Sequence, residues 1–473
     1  MTYSPPRPAP ARSAATAPAG PAGPSGSWSG PRPRPAPGRR IADLAAVLVG
    51  VGLGAAVALP LSQATRQSVG APGGLAVLAG DVTATAGTYL LLVMVLLAGR
   101  IPGVERAVGQ DRLIRWHRRL SPAPLLLLGG HAVLTTLGYA QAGHLGLWAE
   151  AGSLTTTMAW IFAAVVSYAM LVGIAGLSIR AVRRRVSYDT WWVIHLYTYL
   201  ALAFSVPHQI VAGNSFVGHP LARAAWALLW LATAGVVIVY RVGLPVARTV
   251  YHRLELVDVR PEGPGVYSLV VRGRHLDRLA AAGGQYFGWR FLVRGMWWHA
   301  HPFSLSALPR PPYLRVTIKV AGDATARIAR LRPGTRIAVE GPYGAFTGST
   351  RTRRKVALIG AGVGITPLRA LLEDLPADVD VVVVQRASTP EELIHRAELA
   401  AMVDARAGRR MELAGPRSQH RMHDPRYLRR LIPDLAGRDL YVCGPEQFSA
   451  GVVAAARALG LPPGAIHHES FSY

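Results

Sequence analysis

His117 and His131 stand 14 residues apart in one apolar stretch, and His195 and His208 stand 13 apart in another. At about 1.5 Å per helical residue each pair spans roughly 20 Å, which fits inside a hydrocarbon layer about 30 Å thick. Two helices marked in this way can face each other and offer two imidazole pairs at two depths. A pair of neutral imidazoles is a ligand set for haem iron, whose potential follows from its axial ligands. Two haems so placed would carry electrons across a membrane. The plainer reading is four hydrogen-bonded polar residues in a bundle. Ionisable groups in membrane helices are costly and usually functional, which favours ligation.

The elements that must position these histidines are apolar runs at about 41–61, 75–98, 122–142, 154–179, 190–210 and 221–241. The chain has 473 residues, 51% of them hydrophobic, and a formal net charge of +25. In a soluble chain that charge would suggest nucleic acid. Here the arginines gather in alternate loops. Arg39 and Arg40 precede the first run; Arg100, Arg106, Arg112, Arg115, Arg118 and Arg119 separate the second from the third; Arg180, Arg183, Arg184 and Arg185 separate the fourth from the fifth. The other loops carry only Arg66 and no lysine. The positive-inside rule then places both termini in the cytoplasm, and the expected partner is a lipid bilayer, with no nucleic acid. Residues 1–38, rich in Pro, Ala, Gly and Ser, read as a disordered tail, and the first run as an uncleaved anchor. With the third and fifth runs both directed outward, depth pairs His117 with His195 near the cytoplasmic side and His131 with His208 nearer the outer face. His144 and His219 fall at the outer boundary, where a solvent-facing role is expected.

After Arg248 the pattern changes to short strands at about 251–259, 265–272 and 313–320, separated by glycine and proline turns, which suits a small antiparallel barrel. From Lys355 it changes again. The apolar strand Val356-Ala357-Leu358-Ile359 runs into Gly360-Ala361-Gly362-Val363-Gly364-Ile365-Thr366-Pro367. Glycines let a phosphate approach the backbone, and a helix N-terminus favours its charge. Thr366 is expected to cap that helix, and Pro367 to occupy its first turn. Two further strands, 381–384 and 439–442, predict a parallel sheet with a nucleotide at its strand ends. The second opens into Cys443-Gly444-Pro445. Cys443 is the only cysteine, so an intrachain disulfide is impossible; it is either a small buried residue or a neighbour of a nicotinamide ring. Arg386 follows the 381–384 strand, where a guanidinium could pair with the 2′-phosphate of NADPH. Arg396 could assist it, or either arginine could be a solvated charge.

Together these features resemble the ferric reductase and NADPH oxidase superfamily over about residues 41–473. In that family a six-helix haem-binding membrane domain is joined to a ferredoxin–NADP reductase-type module. The resemblance implies that His117, His131, His195 and His208 ligate two b-type haems. It implies that His301-Pro302-Phe303-Ser304 contacts the isoalloxazine and phosphates of FAD, with Gly284-Gln285-Tyr286 and Gly341-Pro342-Tyr343-Gly344 beside it. It likewise assigns the nicotinamide pyrophosphate to Gly360, Gly362, Gly364, Thr366 and Pro367, and the ring's neighbourhood to Cys443, Gly444 and Pro445. The terminal Glu469-Ser470-Phe471 resembles the element whose aromatic ring covers the flavin, so Ser304, Cys443 and Phe471 are the candidate catalytic residues. This sequence departs from the pattern in continuing to Ser472 and Tyr473. It also has a short loop near 211–220 in place of a large outer cap, and no EF-hand sequence.

The expected architecture is therefore a disordered tail (1–38), a six-helix transmembrane bundle (39–248), an antiparallel β-barrel FAD domain (249–350) and an α/β NAD(P) domain (351–473). The implied activity moves electrons from cytoplasmic NAD(P)H, with a lean to NADPH over NADH, through FAD and two haems to an external acceptor. Ferric chelate is favoured as that acceptor, and a superoxide-producing oxidase is the close alternative. A different class of reading is a relay subunit that passes electrons to a quinone or to a periplasmic or membrane protein partner. The fused nicotinamide module argues against it, because a relay has no need of its own donor site.

Overall fold

The computed structural model describes residues 37–183, 185–186, 188–406 and 408–471. Nearly all of the 1–38 tail, together with Ser472 and Tyr473, lies outside the described residues.

Among the described residues, five helices are long and apolar enough to cross a membrane: Ala42–Gln63, Gly74–Leu97, Arg112–Gly143, Ile161–Ser178 and Pro220–His252. A further helix, Tyr188–Ala212, has 25 residues, enough for about 37 Å. Its histidines, tyrosines and Gln209 make it less apolar than the rest. The 154–179 run is not one helix. It breaks at Trp160, whose backbone is left-handed (φ 69°), and the apolar helix begins at Ile161. The last span helix runs on to His252, past the expected limit at 248, and leads directly into the first strand.

Small residues set the helix packing. A Cβ on Gly80 would lie 2.4 Å from the Thr135 hydroxyl, and one on Gly138 would strike Val77. Helices Gly74–Leu97 and Pro122–Gly143 therefore approach backbone to backbone. Leu48, Val51, Leu126, Val133, Leu228 and Leu231 point outward and exposed. In water such a belt would drive association; against lipid it is the required surface.

The soluble half contains two sheets. The first has six strands in the order β4-β3-β6-β1-β2-β5, with β1 Leu254–Gly263, β2 Val266–Arg272, β3 Tyr286–Phe291, β4 His301–Ser304, β5 Tyr313–Lys319 and β6 Arg336–Tyr343. Its ladders are antiparallel, and an isolated bridge, Leu305 to Val316, links the end of β4 to β5. Phe287, Trp289, Phe291 and Leu305 fill its core. The second sheet is parallel, in the order β11-β10-β7-β8-β9. Its strands are β7 Lys355–Ala361, β8 Asp380–Ala387, β9 Arg409–Ala414, β10 Asp439–Pro445 and β11 Ile466–Phe471. Ions bind the two units together: Arg315 on β5 makes a two-pronged bond to Glu398 (2.7 and 2.8 Å), and Arg369 holds both Glu398 and Glu373.

Candidate active site

His117 and His195 meet across the bundle, with ring centroids 6.3 Å apart and an interplanar angle of 66°. His117 Nδ1 lies 2.8 Å from the Met94 carbonyl and His131 Nδ1 lies 3.0 Å from the Gly80 carbonyl. A carbonyl only accepts, so each Nδ1 carries the proton and each Nε2 keeps a free lone pair, the tautomer a metal needs. His195 Nδ1 and His208 Nδ1 are buried with no hydrogen-bond partner. A metal–imidazole bond of about 2 Å, plus about 1 Å from nitrogen to ring centre, puts two rings on opposite sides of one metal about 6 Å apart. The His117–His195 separation matches that distance. No group of three or more metal-binding side chains occurs among the described residues. Two imidazoles alone suit an iron whose other ligands come from a macrocycle, so the residues fit haem.

The flavin motifs converge in the first sheet. Tyr286 on β3 pairs with Ser304 on β4 and with Tyr343 on β6. Ser304 Oγ is buried with no partner, which fits a hydroxyl awaiting a cofactor atom. Pro302 is exposed and Phe303 half-buried, while His301 is buried and stacked on His299 at 4.7 Å. Gln285 is used internally: it accepts from Ala282 N–H and donates to the Gly344 carbonyl. Gly284 (φ 91°) is obligatory, since a Cβ there would lie 2.0 Å from the Phe346 carbonyl.

The membrane half grips the same place. The Arg248 guanidinium donates to the Gly341 carbonyl. Arg100 lies over the Tyr343 ring and 3.8 Å from Glu340, which also pairs with Arg290. Glu105, in the short helix Pro102–Val108, is buried, only 1% exposed. Burial pushes its pKa up to about 7 against the opposing pull of Arg100, the Gly344 backbone and Arg241. Nothing in the residue types singled out Arg100 or Glu105 beforehand; the arginine looked like one more topology-setting charge.

At the parallel sheet, β7 passes through Gly362–Gly364 into helix Ile365–Asp374. Gly362 is left-handed (φ 55°), and a Cβ on Gly364 would lie 2.3 Å from the Cys443 carbonyl. Thr366 does not cap this helix. Gly364 is its N-cap, and the Thr366 hydroxyl instead donates to the Val363 carbonyl at 2.9 Å; Pro367 stands in the first turn. A cavity of about 530 Å³ opens over this turn, lined in part by Gly362, Arg386, Arg417, His420, Pro445 and Lys319. Arg386 spends its guanidinium on the Leu413 and Gly415 carbonyls (3.3 and 2.5 Å). Burial, then the nearby charge of Arg417, lowers its pKa. Arg417 is thus the cavity cation nearest in effect to Arg386, with Lys319 also in the lining, and sequence reading missed it. Arg396 is absent from the cavity lining and pairs with Glu412 on the surface.

Cys443 is fully buried, in register with Gly360 on one side and Glu469 on the other. Burial and then Glu469 push its thiol well above the ordinary range, so it is no thiolate nucleophile. Gly444 packs against Ala361 and Phe448. The backbone of Phe471 pairs with Pro445; its ring lies outside the described residues. His144 ends helix Pro122–Gly143 in a left-handed cap, and His219 precedes helix Pro220–Ile238; both are exposed.

Three family models match the chain in series. Residues 83–206 match the ferric reductase like transmembrane component, 268–347 an FAD-binding domain and 358–454 an oxidoreductase NAD-binding domain. Similar proteins include an NADPH oxidoreductase of Mycobacterium tuberculosis, 31% identical over 174 residues (34% of this chain, 45% of the relative). Another is a flavohemoprotein of Bacillus subtilis, 28% identical over 187 residues (37% and 47%). NADPH oxidase 1 of Mus musculus is 34% identical over 80 residues (16% and 14%). The solved FAD/NAD-binding domain of a Vibrio cholerae nitric oxide dioxygenase is 24% identical, with a TM-score of 0.41, over 46% of this chain and 98% of that one. The chain spans about half the length of the curated relatives it matches, 45% and 50% for two of them. A ferric-reductase-like membrane component is thus fused to a ferredoxin–NADP reductase-type FAD/NAD(P) module. That combination matches members of the ferric reductase and NADPH oxidase superfamily and marks the chain as a redox enzyme.

Proposed function

We propose that this chain takes electrons from cytoplasmic NAD(P)H and delivers them to an acceptor outside the membrane, using FAD and one b-type haem at each histidine pair. The observation that carries the reading is the 6.3 Å separation of His117 and His195, together with Nδ1 protons fixed on backbone carbonyls. Bound flavin takes a hydride as a two-electron unit and releases electrons singly, as iron requires. Gly360, Gly362 and Gly364 keep side chains away from the nicotinamide pyrophosphate, and the helix at Ile365 offers its N-terminus to the charge. The Ser304 hydroxyl is supplied to the isoalloxazine. His117 with His195, and His131 with His208, hold iron at two depths. Helix Tyr188–Ala212 counts as the sixth span because the polar side chains that lower its apolarity include two of these ligands. In this multi-pass membrane protein the exposed Arg112, Arg115, Arg118 and Arg119 beside His117 support a cytoplasmic side for that end and for the flavin module. Arg417 beside Arg386 favours NADPH over NADH.

Ferric chelate is the proposed acceptor. The segment between helices Tyr188–Ala212 and Pro220–Ile238 is short, and Phe216 tucks under it against Trp226 at 5.1 Å. No large cap is built from this segment, and the helix Leu147–Thr157 is the longest outer element beside it. The test is purified protein in liposomes with FAD, haem and internal NADPH. It should reduce an impermeant external ferric chelate anaerobically. Superoxide without chelate reduction makes it an oxidase; reduced haems with neither product point to a quinone or protein acceptor. Absence of haem from the purified protein removes the reading.

A further inference from the structure

We propose that the contact between Trp192 and Trp298 is the electron bridge from the flavin half to the membrane half. This rests on the function proposed above. The two indoles meet with ring centroids 6.1 Å apart, Trp192 on a membrane helix and Trp298 on the soluble segment before β4. On the membrane side Trp192 stands one helical turn before His195, and its neighbour Trp191 stacks on the His195 ring at 5.0 Å. On the soluble side the rings continue from Trp298 to His299 (5.5 Å), from His299 to His301 (4.7 Å) and from His301 to Phe303 (6.0 Å). An unbroken series of aromatic contacts thus joins the proposed flavin strand to the helix bearing the proposed inner iron ligand.

Tunnelling falls off steeply with the gap between π systems, and contacting rings shorten every gap in this series. Over two transfers the reduced flavin would give up the two electrons and the one proton that the hydride brought; the proton would pass to cytoplasmic water, and each of two ferric haem irons would take one electron. The indoles couple donor to acceptor and are themselves neither oxidised nor reduced.

The bridge is tested with Trp192→Leu, which keeps apolar bulk without a π system, and Trp192→Phe, which keeps a ring. In stopped flow with NADPH, flavin bleaching should match the parent in both. Haem reduction should slow by about tenfold or more in the leucine variant and recover largely in the phenylalanine variant. Adding Trp298→Leu should slow it little further, because both residues serve one route. Parental haem reduction in Trp192→Leu overturns the bridge, as does equal slowing by Leu and Phe, which would mark a packing contact. A second readout needs no cofactor. A Trp192→Cys, Trp298→Cys pair in the full-length apoprotein should be joined within one chain by a short bis-maleimide, with the parent, whose only thiol is the buried Cys443, as control. No cross-link overturns the contact itself. Failure of the underlying reading looks different: a parent that binds no haem, or whose haem NADPH cannot reduce, removes both proposals.

Discussion

The Arg100 guanidinium lies 4.5 Å from the centre of the Tyr343 ring, so a residue just past a membrane helix is seated on a flavin-motif residue of the soluble half. Arg100 adopts a left-handed backbone (φ 55°) to do so, a conformation that costs a non-glycine residue energy unless the surroundings enforce it. Glu340, only 2% exposed, depends on Arg100 and Arg290 for compensation. Arg100→Ala removes a cation–π contact and half of that compensation, a loss of about 1–3 kcal/mol. FAD should bind several-fold more weakly while the haem spectrum stays parental. Unchanged flavin affinity by equilibrium dialysis would show that the contact does not position the flavin segment.

Glu105 gives the same junction a pH dependence. Its pKa rises from 4.5 to about 7 in the docked state because burial disfavours the charge. A group raised on docking contributes fully below its unperturbed pKa, and the contribution is lost as pH climbs through the raised value. Stability of the junction should therefore fall between about pH 4.5 and 7, by on the order of 3 kcal/mol, and level off above. Arg100, Arg241, Arg248, Arg290, Glu340, Tyr286 and Tyr343 also face this junction, so the comparison with a Glu105 variant is what isolates its share. Glu105→Gln should flatten the curve of melting temperature against pH; a variant with the parental slope would assign the dependence elsewhere.

Much of this was legible in advance because it repeats or follows a rule. The histidine pairs announce themselves by helical spacing, and the glycine-rich turn by its place between strand and helix. What stayed hidden depends on the folded path. Arg417 lies on a loop without periodicity and reaches the nucleotide cavity only because β8 and β9 lie side by side. Thr366 has the right residue type for a cap, yet Gly364 already starts the helix, so its hydroxyl turns back to Val363. Trp160 breaks an apolar run through a backbone angle that hydropathy does not register.

For the flavin, Ser304 offers a buried hydroxyl with no protein partner. If FAD supplies the partner, Ser304→Ala forfeits one hydrogen bond, about 1 kcal/mol. Flavin reduction by NADPH should slow or flavin retention should fall by roughly fivefold, with unchanged haem content. Parental rate and affinity would reassign the hydroxyl to packing.

Nucleotide choice separates the two cavity arginines. Arg386 braces the Leu413 and Gly415 carbonyls, so Arg386→Ala should loosen the cavity and weaken NADPH and NADH alike. Arg417→Ala should instead cost NADPH about tenfold in kcat/KM for flavin reduction, roughly 1.4 kcal/mol, and leave NADH little changed. Selective loss of NADPH in Arg386→Ala with none in Arg417→Ala would reverse the assignment.

The outer histidine pair gives the sharpest test of the transmembrane route. His131 is oriented by the Gly80 carbonyl, in a stretch where a Cβ on Gly80 would collide with Thr135. The ring is thus held by backbone that has no slack, and His131→Ala removes the ligand without disturbing the donor half. The purified variant, like His208→Ala, should hold one haem where the parent holds two, keep flavin reduction by NADPH, and still reduce the haem at His117 and His195. External chelate reduction in liposomes should be abolished, because the remaining iron lies a helix length of about 20 Å from the outer pair. A variant that retains two haems, or one that loses the inner haem instead, would dissolve the depth pairing and with it the two-step route.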